Sequence, residues 1–231
     1  MQPVAIITGA SQGLGRALAK ALIAEGWGVV IDARDANRLA AAAAEITAEG
    51  PATSALVALA GDIADGPHRE AIAERARALG PVRLIVNNAS TLGASPLPAL
   101  DQVTDDILRR VLDVNVVAPL ALVRTLAGDL ERGGTVVNIT SDAAVEPYPG
   151  WGAYGASKAA LEHASKILAA EHPEWRVLVI DPGDMRTEMH QDAFPGEDIS
   201  DRPPPDASIP GLLALIHGNQ PSGRYHARED M

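Results

Sequence analysis

Short apolar segments alternate with helical segments along the whole chain. Six of them are rich in Val, Ile, Leu and Ala and are followed by Gly, Asn, Asp or Ser, a pattern typical of strands buried on both faces. The predicted strands lie at 3–8, 28–31, 54–60, 84–86, 135–140 and 176–180, with a last short strand at 224–226. Helical spacing covers 16–25, 35–49, 65–79, 101–127, 152–171 and 209–217. This alternation predicts an α/β fold with a parallel, doubly wound sheet and helices on both faces.

The length of the chain fits one domain of this class. It has 231 residues, of which 47% are hydrophobic and only 3% aromatic, so the core must be mainly aliphatic. We find no internal repeat and no linker, and we expect a single domain over residues 1–231. Residues 184–209 are irregular and rich in Pro and acidic residues. A stretch of this length in a compact domain is usually a mobile active-site element, so we expect a substrate lid there.

Composition excludes several classes of function. The chain has 19 basic and 30 acidic residues, a net charge of −11, which argues against nucleic acid or an anionic membrane as a partner. It has no cysteine, which excludes disulfides and thiol-based sites. His163, His172 and His190 lack metal-ligand spacing, and we expect no metal. Without a signal-peptide pattern or a membrane-length apolar run, we expect a cytoplasmic protein.

A glycine-rich turn follows the first predicted strand and opens the first helix. Glycines there let the backbone approach a pyrophosphate, and the first amides of the helix point at it. The turn residues are Gly9, Ser11, Gln12, Gly13, Leu14 and Gly15. A tight turn without a ligand is the alternative interpretation, but the position between strand and helix favours a nucleotide site.

A hydroxyl, a phenol and an ammonium come together in the segment 141–158. Tyr154 and Lys158 are four residues apart and share one face of a predicted helix. A cation beside a phenol favours the phenolate, so we expect Lys158 to lower the pKa of Tyr154 and make it an acid/base group. Ser141 follows a predicted strand, at the sheet edge where ligands bind. Taken alone, Y-x-x-x-K arises by chance on amphipathic helices, and Ser141 would be a turn residue.

These motifs together resemble the short-chain dehydrogenase/reductase family. The resemblance rests on Thr8, Gly9, Gly13, Gly15, Asn87, Asn88, Ala89, Asn115, Ser141, Tyr154, Lys158, Pro182 and Gly183, in the family's order and spacing. It extends from residue 3 to about residue 190 and more weakly beyond. It implies a Rossmann-type fold with a seven-stranded, mostly parallel sheet and a nicotinamide cofactor.

The resemblance also implies roles for four residues. Tyr154 would be the catalytic acid/base and Ser141 would polarise the substrate oxygen. Lys158 would hold the nicotinamide ribose. Asn115 would support a water that relays protons to Lys158, although taken alone it could be a polar residue at a helix kink.

Further positions match the family's cofactor contacts. By resemblance, Asp62 and Ile63 contact the adenine, and Asn87 and Ala89 flank the cofactor. Pro182 and Gly183 also belong to the cofactor site, and Thr187, in the same segment, reaches the nicotinamide amide. Ser90 stands where the family usually has glycine and places a hydroxyl near the cofactor. Asn87 is otherwise a turn residue, and Tyr148 and Trp151 either line a pocket or pack in the core.

Two residues bear on the choice of cofactor. Asp32 lies in the neighbourhood where an acid binds the 2′-hydroxyl of NAD. Aligned by its neighbours, however, the family's acid position falls on Ala33, and Arg34 falls where a basic residue binds the 2′-phosphate of NADP. We therefore expect NADP(H) to be preferred, with NAD(H) as the alternative. Strand alternation would put Asp32 and Arg34 on the same side, where they could instead simply pair.

The predicted reaction is hydride transfer between a nicotinamide and a carbonyl or secondary alcohol, with the proton moving through Tyr154. The expected partners are a small carbonyl or alcohol substrate and further copies of the chain, as a homodimer or homotetramer. Two alternatives remain open. One is a nicotinamide-binding sensor or scaffold without catalysis, and the other is a nucleotide-sugar epimerase or dehydratase.

Overall fold

The computed structural model describes residues 2–228, and its centre is one sheet of seven strands. The strands are β1 (Val4–Ile7), β2 (Gly28–Ala33), β3 (Leu56–Ala60), β4 (Val82–Asn87), β5 (Leu130–Ile139), β6 (Arg176–Asp181) and β7 (Gly223–His226). Their order is β3-β2-β1-β4-β5-β6-β7, and every neighbouring pair is parallel. The parallel, doubly wound sheet is therefore confirmed. The winding reverses between β1 and β4, and ligands of such sheets bind at the carboxyl ends of the strands beside this point.

Eight α-helices cover the sheet in the described chain. They are α1 (Gly13–Ala24), α2 (Ala36–Glu49), α3 (Gly66–Leu79), α4 (Asp105–Leu112), α5 (Ala118–Leu126), α6 (Gly152–Glu171), α7 (Glu188–Ala193) and α8 (Ile209–His217). The helix predicted over 101–127 is interrupted, because a π-helical turn (Asp113–Val117) joins α4 to α5. It also begins later than expected, at Asp105, where the hydroxyl of Thr104 accepts a hydrogen bond from the amide of Ile107.

The core lies in two layers, one on each face of the sheet. Along β1, Ala5 and Ile7 pack into the layer under α1, α2 and α8, while Val4 and Ile6 pack into the layer under α3 and α5. Alternate residues of one strand thus face opposite layers, and both faces exclude water. This explains why the strands are continuously apolar, since each fully buried aliphatic side chain stabilises the fold by about 1.5–3 kcal/mol.

The prediction of an irregular segment over 184–209 is wrong in part. It contains α7 and a 3₁₀ turn (Pro205–Ser208), and Thr187 caps α7 by accepting a hydrogen bond from the amide of His190. A six-residue helix is too short to show a clear period in the sequence. Ala193 and Phe194 at its end pack in the same apolar cluster as Tyr154. The segment therefore lies against the predicted acid/base residue, and its motion as a lid stays a prediction.

No helix within residues 2–228 is both long and apolar enough to cross a bilayer. The single domain predicted over 1–231 also stays a prediction, and residue 1 and residues 229–231 lie outside the described part of the chain.

Candidate active site

A cleft of about 1330 Å³ opens at the carboxyl ends of the strands. Most of the predicted site residues line it: Gly9, Ser11, Gln12, Gly13, Leu14, Arg34, Asp62, Ile63, Ala89, Ser90, Ser141, Tyr154, Lys158, Pro182, Gly183 and Thr187. Three predicted residues lie behind its wall instead, namely Gly15, Asn87 and Asn115. The structure thus brings the glycine turn and the 141–158 segment, far apart in sequence, to one cavity.

The glycine turn is shaped by close backbone approach. Gly9 has φ +66°, and a Cβ on it would lie 2.8 Å from the Cα of Ala89. A Cβ on Gly15 would lie 2.5 Å from the side-chain nitrogen of Asn88, so Gly15 serves packing of α1 against the end of β4. Gln12, the residue before α1, provides no side-chain cap, which leaves the first amides of the helix without a side-chain acceptor. The turn therefore fits the pyrophosphate of a dinucleotide.

Asp32 holds the glycine turn through a hydrogen bond to its backbone. Its side chain is buried, and its Oδ1 accepts a hydrogen bond from the amide of Gly9 at 2.9 Å. Its Oδ2 lies 3.1 Å from Nε2 of His68. The alternative in which Asp32 simply pairs with Arg34 is wrong, because the Asp32 carboxylate bonds to Gly9 and His68. Asp32 and Arg34 both line the cleft, in agreement with the expectation that they share a side. Arg34 is exposed, whereas the Asp32 carboxylate is buried and bonded within the protein.

Asp62 lies at the same end of the cleft as Arg34. Its Oδ2 accepts a hydrogen bond from Arg110 at 2.6 Å, and its Oδ1 accepts one from the amide of Ala64 at 2.9 Å. Partial burial acts to raise the pKa of Asp62, but the amide of Ala64 and the guanidinium of Arg110 outweigh it, and the pKa is lowered. Arg110 lines the cleft as well, and no sequence motif pointed to it.

Ser141, Tyr154 and Lys158 meet where β5 ends and α6 begins. Tyr154 is buried, and the ring of Trp151 packs edge-on against it with centroids 5.6 Å apart. The Nζ of Lys158 lies 5.4 Å from the Tyr154 ring centroid and donates a hydrogen bond to the carbonyl of Ile139 at 2.8 Å. The structure thus brings these three side chains to the same part of the cleft, and their action on one substrate stays a prediction.

Burial dominates the electrostatics of this group. It raises the pKa of Tyr154 above its ordinary value; the hydroxyls of Ser90 and Ser141 oppose this shift, and the charge of Asp181 adds to it. Burial also lowers the pKa of Lys158 to about 8. The expected pKa of Tyr154 below its ordinary value is therefore not found, because the cost of removing the phenolate from water is the largest effect.

Ser141 is held in a turn that contains a second acid. Its hydroxyl donates a hydrogen bond to Oδ1 of Asp142 at 2.9 Å, and Oδ2 of Asp142 accepts one from the hydroxyl of Tyr148 at 3.0 Å. Tyr148 and Trp151 both line the cleft, so the first of the two interpretations of these residues is correct. Trp151 also packs on Tyr154.

Asn115 is buried in the π-helical turn. Its side-chain oxygen accepts hydrogen bonds from the amide of Thr91 at 2.9 Å and the hydroxyl of Ser90 at 3.1 Å. Its side-chain nitrogen donates to the carbonyl of Thr91 at 3.0 Å and the hydroxyl of Ser157 at 2.9 Å. These four bonds use the whole capacity of the amide and tie the loop after β4 to α6. The interpretation as a residue at a helix irregularity holds, and the proton relay stays a prediction.

Asn88 lines the cleft, and Asn87, which was expected beside the cofactor, does not. Asn87 is buried in the sheet, where its side-chain nitrogen donates to Oδ1 of Asn138 at 2.7 Å. Asn88 lines the cleft and donates hydrogen bonds to the carbonyls of Thr8 at 2.8 Å and Gly9 at 3.0 Å. Asn88, and not Asn87, is the residue that holds the loop at the cleft wall.

A polar bridge at the rim of the cleft was missed from the sequence. Nη1 of Arg38 donates to Oε2 of Glu188 at 2.6 Å and to Oε1 of Gln12 at 3.1 Å. Nε2 of Gln12 also donates to Oε2 of Glu188, at 2.7 Å. These three residues, which we call the α2–α7 bridge, connect the glycine turn and α2 to the start of α7. Contacts between residues so distant in the chain leave no signal in the local sequence pattern.

Comparisons with known proteins agree with this geometry. A family model described as short chain dehydrogenase matches residues 3–198. The chain is 36% identical over 200 residues to sepiapterin reductase of Mus musculus, covering 81% of this chain and 76% of that enzyme. It is 34% identical over 189 residues to an uncharacterized oxidoreductase of Methylorubrum extorquens, covering 80% and 74%. A structure from Shigella flexneri, described as a short chain dehydrogenase complexed with NADP, superposes with a TM-score of 0.87 at 28% identity, covering 98% and 97% of the two chains.

Proposed function

The chain belongs to the short-chain dehydrogenase/reductase family, and we propose that it is an NADP(H)-dependent oxidoreductase that interconverts a carbonyl and a secondary alcohol. The observation that carries this proposal is the meeting of Ser141, Tyr154 and Lys158 in a cleft that also contains the glycine turn. A binding protein without catalysis has no need of a buried phenol, a buried ammonium and a hydroxyl beside the same cavity.

The cleft fits a nicotinamide dinucleotide. The glycine turn and the first amides of α1 would hold the pyrophosphate, and Asp62 and Ile63 would hold the adenine end. Pro182, Gly183 and Thr187 would lie toward the other end. Bound there, the cofactor supplies or accepts the hydride.

Preference for NADP(H) is supported by Arg34 and by Asp32. Arg34 is exposed at the cleft, where a guanidinium can grip a phosphate with two hydrogen bonds. Asp32 also lines the cleft, but it is buried and its two carboxylate oxygens are already engaged by the amide of Gly9 and the ring of His68, which leaves them less available to a 2′-hydroxyl. A bound NADP in the similar Shigella flexneri structure is consistent with this choice.

Tyr154 is placed to act as the proton donor in carbonyl reduction. Burial holds its pKa above the ordinary value, so the phenol is protonated at neutral pH. The proton passes from the phenol oxygen to the substrate oxygen as the carbonyl becomes an alcohol. Lys158, whose pKa burial lowers to about 8, is mainly protonated at pH 7 and would stabilise the phenolate that remains.

Ser141 provides the second donor to the substrate oxygen. Its hydroxyl now donates to Asp142 and must rotate about its own side chain to reach a carbonyl. A hydrogen bond that strengthens as negative charge develops on that oxygen stabilises the transition state more than the ground state.

The substrate half of the cleft is apolar and acidic. Leu92, Trp151 and Phe194 line it together with the carboxylates of Asp142 and Asp192. We therefore propose a substrate with an apolar body and without a strongly anionic group.

A panel of carbonyl compounds tests the proposal. Wild-type protein and Tyr154→Phe are each mixed with NADPH or NADH, and loss of the reduced nicotinamide absorbance is followed. We expect consumption with at least one carbonyl in the wild type and little in the variant. Tight cofactor binding without turnover on any substrate would instead favour the sensor or scaffold, and isomerisation without net cofactor consumption would favour the epimerase.

Assembly is a further proposal. Leu108 on α4 and Val117 in the π-helical turn are exposed apolar side chains on the same continuous helical stretch. We propose that they lie at an interface between copies of the chain, and light scattering on the eluting protein measures its mass. The cytoplasmic location stays a prediction.

A further inference from the structure

Behind the cleft wall, Arg224 of β7 holds together several charged and polar groups. Its Nε donates to Oε1 of Glu162 at 3.0 Å, and its Nη2 donates to Oδ2 of Asp181 at 3.0 Å. The same Nη2 lies 3.5 Å from the carbonyl oxygen of Ser141, and Nη1 lies 2.7 Å from Nε2 of His226. The two carboxylate side chains are only 8% and 5% exposed.

Each carboxylate belongs to an element that carries part of the site. Glu162 lies one helical turn after Lys158 on α6, and its Oε1 also accepts a hydrogen bond from the hydroxyl of Thr140 at 2.7 Å. Asp181 ends β6, and its Oδ1 accepts a hydrogen bond from the amide of Gly183 at 2.9 Å. Arg224 thereby connects the end of β5, the face of α6 that bears Lys158, and the turn that follows β6.

The two buried carboxylates of this connection depend on the positive charge of Arg224. Two carboxylates are withdrawn from water around one guanidinium. Without that cation they would keep the hydrogen bonds from Thr140 and Gly183 but lose their shared charge partner, which is costly for buried carboxylates. Arg224 also lies beyond residues 3–198, the part of the chain that the family model matches. The cation of the connection therefore lies outside that match, whereas its two carboxylate partners lie inside it.

We propose that Arg224 is a positioning residue that fixes Ser141, α6 and the turn at Pro182 and Gly183 relative to one another. The proposal rests on the proposed function, because its purpose is to align the hydroxyl and phenol donors with the nicotinamide end of the cleft. A misplacement of about 1 Å in such a site can lower the rate about 10²-fold.

Arg224 also acts on Tyr154 through charge. The charge of Asp181 contributes to the raised pKa of Tyr154, and the guanidinium bonded to Asp181 offsets that charge. The charged and titratable groups near the phenol are Lys158 and Glu162 from α6, Asp142 from the turn after β5, Asp181 from β6, and Arg224 and His226 from β7. Of these, Asp181 and Arg224 form an ion pair, and substitutions of the two partners should shift the pKa of Tyr154 in opposite directions.

Three variants separate positioning from mere packing. Arg224→Gln should lower kcat about 10- to 100-fold with less change in KM, and Arg224→Lys should recover much of the loss. In alcohol oxidation, where activity rises as Tyr154 loses its proton, Arg224→Gln should move that rise to higher pH. Asp181→Asn removes the opposing charge and should move it to lower pH. Arg83→Gln, which removes an exposed cation paired with Glu131, is the control and should change neither quantity.

A second measurement does not depend on turnover. Hydrogen exchange of the segment 182–187 should be faster in Arg224→Gln than in wild type, since Asp181 loses the partner that holds it under the amide of Gly183. Melting temperatures of all variants are recorded alongside.

Shifts of the pH profile in the same direction for Arg224→Gln and Asp181→Asn would overturn the proposal, as would a folded Arg224→Gln with wild-type kcat and exchange. If Arg224→Gln does not fold, the proposal is tested with Arg224→Lys and Asp181→Asn. An unchanged pH profile in Asp181→Asn would then overturn the proposal. Absence of turnover in the wild type would instead refute the proposed function, and exchange in 182–187 would still judge the positioning role.

Discussion

Gly9 is a position where a single added methyl group should distort the cleft. Its φ of +66° is one that residues with a Cβ avoid, and its Cβ would lie 2.8 Å from the Cα of Ala89 and 3.1 Å from that residue's amide nitrogen. Both neighbours are backbone atoms in the loop after β4, so they cannot move aside as a flexible side chain would. Gly9→Ala must therefore displace the glycine turn itself.

The size of the effect follows from two terms. Left-handed backbone costs a residue with a Cβ about 1–2 kcal/mol, and forcing an extra methyl into a packed region costs about 1–3 kcal/mol. We expect Gly9→Ala to lose about 2–5 kcal/mol of unfolding free energy. Gly26 is the matched control: its φ is +89°, and nothing lies within 4 Å of an added Cβ. Gly26→Ala should show the backbone term alone, about 1–2 kcal/mol.

Urea unfolding of the two variants and fluorescence titration with NADPH measure both consequences. Gly9→Ala should also bind NADPH at least about tenfold more weakly, a loss of about 1.4 kcal/mol, because the displaced turn no longer presents its amides. Gly26→Ala should bind as the wild type does. Equal losses of stability in the two variants, or unchanged NADPH binding in Gly9→Ala, would refute the reasoning from close approach.

Three further variants test the site. Tyr154→Phe should keep NADPH binding and lose about 10²–10⁴-fold in turnover; near wild-type turnover would exclude Tyr154 as the acid/base. Arg34→Ala should weaken NADPH binding far more than NADH binding, as measured by titrating both cofactors, and a wild type that binds NADH more tightly would contradict the preference. Because burial lowers the pKa of Lys158 from 10.5 to about 8, the unfolded chain holds this proton more tightly than the folded one. Lys158→Met should therefore be more stable than wild type at pH 7, with an advantage that shrinks as pH rises from about 8 toward 10.5. An advantage independent of pH in urea unfolding would argue against this.

The sheet could be predicted because its strands carry the information locally. Val4, Ile6 and their neighbours are buried on both faces, so β1 is apolar without interruption and its type is clear from composition. The early part of β5 was missed, because residues 131–134 carry two charges and two glycines and pair irregularly with β4. α7 was missed because six residues are too few to show a period.

The site was predictable where it depends on motifs and not where it depends on distant contacts. Tyr154 and Lys158 are four residues apart, and their common face follows from helix geometry. Asp32 bonds to Gly9, 23 residues away, and to His68, 36 residues away, so its use inside the protein emerged only from the fold. The raised pKa of Tyr154 likewise depends on burial, which no spacing rule supplies.

The α2–α7 bridge should affect the rates of cofactor binding and release more than the affinity for the cofactor. Its charged members, Arg38 and Glu188, have half-exposed side chains, and an ion pair of this kind contributes only about 0–1 kcal/mol. A contact so weak breaks and reforms easily, so it adds little to equilibrium affinity. Because the bridge lies at the rim of the cleft, however, a dinucleotide must pass it when it binds and when it dissociates. Salt screens exposed charges, with a Debye length of about 8 Å at 0.15 M and about 3 Å at 1 M. Ionic strength should therefore change the rate constants for association and dissociation of the cofactor.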